Sequence, residues 1–139
     1  MKIIGTGSAH PTCAVTNQML EQFLETTDEW ITERTGIKER CVISSEHLED
    51  MAVHAANKAL EDAGLTAADI DFLICSNVVN EYVTPALSCI IQGKLGAKCP
   101  TVDINAACAG FIYAMDMADD KLKAGKAKNI LIVCAEEPS

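Results

Sequence analysis

Aromatic residues are scarce in this chain, 4% of 139 positions with a single tryptophan, so its core has to be built from Ala, Ile, Leu, Val and Met. Basic residues are scarce as well: 11 Lys and Arg stand against 20 Asp and Glu, a formal charge of −9. That balance argues against a nucleic-acid surface or an anionic membrane surface as partner, because both are recognised through clustered cations. No apolar run approaches the ~20 residues needed to cross a bilayer. The seven cysteines contain no C-x-x-C pair and no Cys/His cluster at metal-ligand spacing. They therefore point neither to a disulfide framework nor to a zinc site, and no metal is expected. Unpatterned thiols fit a reducing cytoplasm, the expected location. The N-terminus has one lysine and a short apolar run broken by Gly5, Gly7, His10 and Pro11, too short for a signal peptide.

What is present is a 49% hydrophobic sequence, long enough for one compact domain over residues 1–139. Its most informative stretch is Asp103 to Gly110. There a β-type run, Pro100 to Ile104, gives way to a helix that begins at or just before Cys108. A cysteine at a helix N-terminus faces free backbone N–H groups and the positive end of the helix dipole, and both favour the reactive thiolate. Its neighbours are Ala106, Ala107, Ala109 and Gly110, so no bulky side chain blocks the sulfur. The pattern is a strand-to-helix elbow presenting a nucleophile. The competing reading is a buried thiol acting as a small hydrophobe.

Taken in order, Lys2 to Ser8 reads as a strand whose two glycines meet another backbone closely. His10 reads as a loop residue without a role. Asn17 reads as the cap of a helix over 18–24, and Thr26 with Glu29 has the spacing of a capping box for a second helix that stops at Gly36. That helix carries Trp30 and Arg34 four apart, on one face. Alone, such a pair reads as a packed anchor covered by an arginine stem. A long helix from Glu46 to Ala63 shows an alanine-rich face, with His47 and His54 at its surface. Thr66 to Ile70 reads as one capped turn and Asp71 to Ser76 as a strand buried on both faces. Thr84 reads as the cap of a helix with Pro85 at its first position, running to Leu95. The helix after Cys108 shows an apolar face of Phe111, Ile112, Met115, Ala118 and Leu122. A last buried strand covers 129–135. Cys75, Cys89 and Cys134 fall on buried elements and Cys13, Cys41 and Cys99 near turns, all without an assigned role. The order β-α-α-α-β-α-β-α-β predicts an α/β layered sheet covered on both faces.

Two long stretches carry a family resemblance. DINAACAGFIYAMDMADDKLKAGKAKNILIV resembles the active-site segment of the β-ketoacyl-acyl-carrier-protein synthase III family, and KIIGTGSAHP followed by TTDEWITERTGIKER resembles the opening of the same enzymes. The resemblance implies one half of a two-half thiolase-like fold, a mixed sheet covered by helices, with the C-terminal half absent. It implies that Cys108 is the acylated nucleophile. It places Trp30 and Arg34 on either side of the coenzyme A adenine, with Thr26 as a further adenine contact, an arrangement an indole face and a planar guanidinium can supply. It puts Thr84 in the acyl pocket of a partner subunit across a homodimer. Some relatives carry Phe there and accept only acetyl, so threonine implies a roomier pocket.

The implied substrates are an acyl-coenzyme A and malonyl-acyl-carrier protein, with no cofactor beyond the coenzyme A thioester. The family's catalytic His and Asn lie in the second half, so a chain ending at Ser139 is expected not to condense. Three alternatives stay open: a hydroxymethylglutaryl-coenzyme A synthase, a synthase of secondary metabolism, and a non-catalytic coenzyme A-binding or structural half-domain with an inert Cys108.

Overall fold

A computed structural model describes residues 1–137. The chain separates into two compact units, one made of residues 1–9 with 47–137 and one of His10–Glu46.

The larger unit is built on three parallel strands, β3 (Phe72–Ser76), β4 (Thr101–Ile104) and β5 (Ile130–Cys134), in the order β4-β3-β5. The central strand β3 is sealed on both sides: Leu73, Ile74 and Cys75 are all 0% exposed. Strand alternation divides its contacts. Leu73 and Cys75 pack with Leu48, Ala52, Ala56 and Leu60 of helix α3 (Leu48–Ala63) and with Leu87 and Ile91 of helix α4 (Leu87–Leu95). Ile74 turns the other way, onto Ala114 and Ala118 of helix α5 (Gly110–Lys123). This is the predicted layered α/β arrangement. The buried stripe of α3 recurs every four residues and is half alanine, which lets the helix lie close to the sheet. Gly64, at φ 66°, ends it in the left-handed conformation. Thr66 and Asp69 cap each other around the short turn Ala67–Asp69, as expected.

The apolar face predicted for α5 is displaced. Its buried stripe is Gly110, Ala114 and Ala118, while Phe111 and Ile112 are exposed. Small residues at four-residue steps allow the closest approach to the sheet, so the bulky ones turn outward.

The expected strand over Lys2–Ser8 does not form. The segment runs along α3, with the Thr6 N–H donating to Asp62 Oδ2 at 2.9 Å and Lys58 Nζ donating to the Ser8 carbonyl at 3.0 Å. A cavity of about 490 Å³, lined also by α3, α5 and β5, lies beside it, and its backbone joins no strand ladder. The close backbone approach inferred from its glycines is present. A Cβ at Gly5 would fall 2.7 Å from the Ala63 nitrogen, and one at Gly7 would fall 2.8 Å from Lys58 Cβ.

The smaller unit holds strand β1 (Cys13–Thr16), helix α1 (Asn17–Leu20), helix α2 (Asp28–Thr35) and strand β2 (Glu39–Val42), with β1 and β2 antiparallel. Neither strand was expected. Helix α1 is shorter than predicted, and Thr16, not Asn17, caps it. Asn17 is instead the only buried residue between His10 and Glu46. Its amide is committed to partners distant in sequence and cannot serve as a local cap.

Candidate active site

The chain leaves β4 at Ile104, passes Asn105 and Ala106, makes one short 3-10 turn over Ala107–Ala109 and enters α5 at Gly110. This is the predicted elbow, with Cys108 on the turn just ahead of the α-helix. The sharpness of the bend falls on Ala107, whose φ of 45° is in the left-handed region that an L-residue rarely adopts. Alanine is the smallest side chain that carries a Cβ, and a β-branched residue would fit worse there. Gly110 matters for another reason: a Cβ there would overlap the hydroxyl of Ser76, at the end of β3, which would have to move. The helix therefore starts directly against the neighbouring strand. Cys108 itself is exposed, so the reading of it as a buried hydrophobe fails.

Because the strands are parallel, the elbow after β4 and the segment after β3 emerge at the same end of the sheet, where open α/β sheets gather their ligands. That segment is pinned at its base. The Asn77 N–H donates to the Ile104 carbonyl at 3.1 Å, and Asn77 Nδ2 donates to the Val79 and Ala135 carbonyls at 2.7 and 2.9 Å. At its far end, α4 begins at Leu87 with Ala86 as N-cap, two residues later than predicted. Thr84 precedes a cis Pro85 and caps nothing. The cap comes from β4: Asp103 accepts the N–H groups of Leu87 and Ser88 at 2.9 and 2.8 Å. Thr84 is exposed, free of the structural duty that would otherwise explain it.

Of the other six thiols, Cys75 and Cys99 are buried. Cys75 is pushed up to about 12, first by burial and then by the Asp103 carboxylate, which holds it protonated and unreactive. Burial also raises Cys99, and partial desolvation followed by the Glu136 carboxylate raises Cys134 although its residue meets solvent. Cys89 and Cys134, assigned to buried elements from sequence, are exposed, while Cys99 is buried. No hydrogen bond joins Cys108 to His47 or His54. Among the described residues no group of His, Cys, Asp and Glu could hold a metal ion, and no helix is long and apolar enough to cross a membrane.

In the smaller unit Trp30 and Arg34 share a face of α2, as predicted. The indole is 53% exposed, and the Arg34 guanidinium lies over it, 4.9 Å from the ring centroid. At that distance the two are in direct cation–π contact, with no room for a third planar group. A purine held between them would require Arg34 to swing away. Thr27, not Thr26, caps α2, its hydroxyl accepting the Trp30 N–H at 3.1 Å. Thr26 Oγ1 is consequently left buried without a partner, in a groove it shares with Leu24, Glu25, Trp30 and Ile31.

Comparison with known proteins gives this geometry its context. The family model of 3-oxoacyl-[acyl-carrier-protein] synthase III matches residues 102–139, the elbow and all that follows. A β-ketoacyl-[acyl-carrier-protein] synthase III of Clostridium perfringens is 49% identical over 97% of this chain and 42% of its own length. The crystal structure of the Aquifex aeolicus 3-oxoacyl-[acyl-carrier-protein] synthase III superposes with a TM-score of 0.95 at 46% identity, over 98% of this chain and 44% of that one. This chain belongs to the synthase III family. It spans less than half the length of the relatives it matches. The fold of the synthase III enzymes is shared more widely: the priming β-ketosynthase of the R1128 polyketide pathway superposes with a TM-score of 0.94 at 37% identity, over 98% of this chain and 41% of that one.

Proposed function

We propose that this chain carries the acyl-accepting site of a β-ketoacyl-acyl-carrier-protein synthase III that begins fatty acid synthesis. The observation that carries the reading is Cys108, exposed on a strained elbow at the carboxyl end of parallel strands. In the first stage the Cys108 thiolate attacks the thioester carbonyl of an acyl-coenzyme A. The carbonyl–sulfur bond to coenzyme A breaks, coenzyme A leaves as the thiol after taking a proton, and the acyl group stays on Cys108. In the second stage malonyl-acyl-carrier protein loses carbon dioxide. The resulting carbanion attacks the acyl carbonyl, the Cys108 sulfur leaves, and 3-ketoacyl-acyl-carrier protein is released.

Decarboxylation needs donors for the developing enolate. In the family these are a His and an Asn beyond the span matched here, so condensation belongs to a longer protein. Thr26, Trp30 and Arg34 bind the nucleotide end of coenzyme A. The unpartnered Thr26 hydroxyl beside the exposed indole supports this, with a purine stacking on the indole once Arg34 gives way. Thr84 lines the acyl pocket of a partner subunit in a cytoplasmic homodimer, and its small side chain admits primers longer than acetyl.

The test is mass spectrometry of the chain after incubation with acetyl-, butyryl- or isobutyryl-coenzyme A. One acyl group should be added, with all three primers, and none in Cys108→Ala. An unmodified wild-type chain overturns the reading, and acylation by acetyl alone overturns the role of Thr84. The superposition on a polyketide priming ketosynthase favours one second reading, in which the same acylated cysteine primes a secondary-metabolite chain.

A further inference from the structure

The unit that carries Trp30 and Arg34 has no apolar core. Between His10 and Glu46 the one buried side chain is Asn17, at 0% exposure, and its carboxamide is spent entirely on its surroundings. Asn17 Nδ2 donates to Asp28 Oδ1 at 2.7 Å and to the Ile37 carbonyl at 2.8 Å, with Thr32 Oγ1 a longer contact at 3.3 Å. Asp28 opens α2, Thr32 lies in its last half, and Ile37 follows its Gly36 cap. One amide group thus grips the helix at its start, along its length and past its end. On the other side Asn17 Oδ1 accepts from Arg40 Nη2 at 2.5 Å, and Arg40 Nη1 donates to the Val15 carbonyl at 3.1 Å, tying the helix to both strands. The orientation of the amide is fixed by its partners: a reversed group would set NH2 against a guanidinium and oxygen against a carboxylate.

An eight-residue helix with no buried residue of its own has little else to hold its direction. We propose that Asn17 is a positioning residue for coenzyme A recognition, setting the angle at which α2 offers Trp30, Arg34 and Thr26 to the nucleotide. The inference rests on the reading that those residues bind the nucleotide end. The amide of Asn17 is fully engaged within its own unit. It acts through α2, as a buried polar network fully satisfied in one arrangement and in no other.

The test uses the two ends of the substrate against each other. Acylation of Cys108 is followed by mass spectrometry with acetyl-coenzyme A and with the acetyl thioester of N-acetylcysteamine, which has no nucleotide. Coenzyme A binding is followed in parallel through the fluorescence of Trp30, the sole tryptophan. In Asn17→Asp, which sets a carboxylate against Asp28 and the Ile37 carbonyl, half-maximal acylation should need at least tenfold more acetyl-coenzyme A. The coenzyme A titration should shift equally. The limiting rate, and the rate with the nucleotide-free thioester, should stay within twofold.

Arg40→Lys, which keeps the charge and loses the fork, should shift the coenzyme A terms in the same direction by a smaller factor, and serves where Asn17→Asp fails to fold. Unchanged coenzyme A titrations in both variants overturn the proposal. So does an equal loss with both thioesters, which marks a general structural role. A wild-type Trp30 signal that does not respond to coenzyme A overturns the nucleotide-site reading itself, and the proposal with it.

Discussion

The two units hold their shape by opposite means. Residues 47–137 with 1–9 bury Leu73, Ile74, Leu87 and Ile91 between helices and sheet, a non-directional attraction proportional to the apolar area withdrawn from water. His10–Glu46 buries one asparagine. An apolar core tolerates small displacements, whereas a satisfied polar hub holds one geometry and loses most of its worth when a partner moves. The difference teaches where each kind of precision belongs. The elbow that presents Cys108 is built on a rigid sheet, and the exposed Trp30–Arg34 face is built on a hydrogen-bonded frame.

The comparison can be broken at three depths. Truncating the centre of the apolar unit should have the largest effect. Leu73→Ala removes a fully buried side chain from β3 and should cost about 2–5 kcal/mol, read as a lower denaturant midpoint by far-ultraviolet circular dichroism. Replacing the polar hub should have a smaller and local effect. Asn17→Leu removes the shared partner of Asp28 Oδ1, the Ile37 carbonyl and Arg40 Nη2, leaving the Ile37 carbonyl unpaired, and should cost about 1–3 kcal/mol. Trp30 fluorescence should then report loosening of its unit while the circular dichroism midpoint of the helices around β3 stays in place. Coincident transitions would show that the two units melt as one.

The smallest effect is expected from pH. Glu46 accepts the Thr12 N–H and hydroxyl and the Ser44 N–H, which hold its carboxyl far below the ordinary 4.5. A depressed carboxyl stabilises the fold above its ordinary value, and that contribution fades as pH falls toward the folded value. Amide exchange of Thr12 and Ser44 should therefore accelerate below about 4.5 in the native chain, relative to the intrinsic rate, and lose that pH step in Glu46→Gln.

Local chemistry was legible in the sequence, and long-range partners were not. The elbow could be read because a strand, small residues and a helix start are adjacent in the chain. The α3 stripe could be read because its period is four. The pair β1 and β2 escaped because each is four residues long, has no buried position, and shows no clear apolar–polar alternation in its residues. Asn17 was mistaken for a cap because its residue type suits that position, while Arg40, its true partner, lies 23 residues away. The Pro85 assignment failed for a similar reason: the carboxylate that starts α4 belongs to Asp103 on another strand. Lys2–Ser8 had the composition of a strand, but strand identity is conferred by a neighbour, and its neighbour is a helix.

Seven thiols distributed this way give the molecule a built-in gauge of its own opening. Cys13, Cys41, Cys89, Cys108 and Cys134 meet solvent, whereas Cys75 and Cys99 are sealed in the packing around β3. A gentle alkylating reagent should therefore stop at five adducts on the native chain, and each later adduct marks an excursion in which the sheet has parted from its helices.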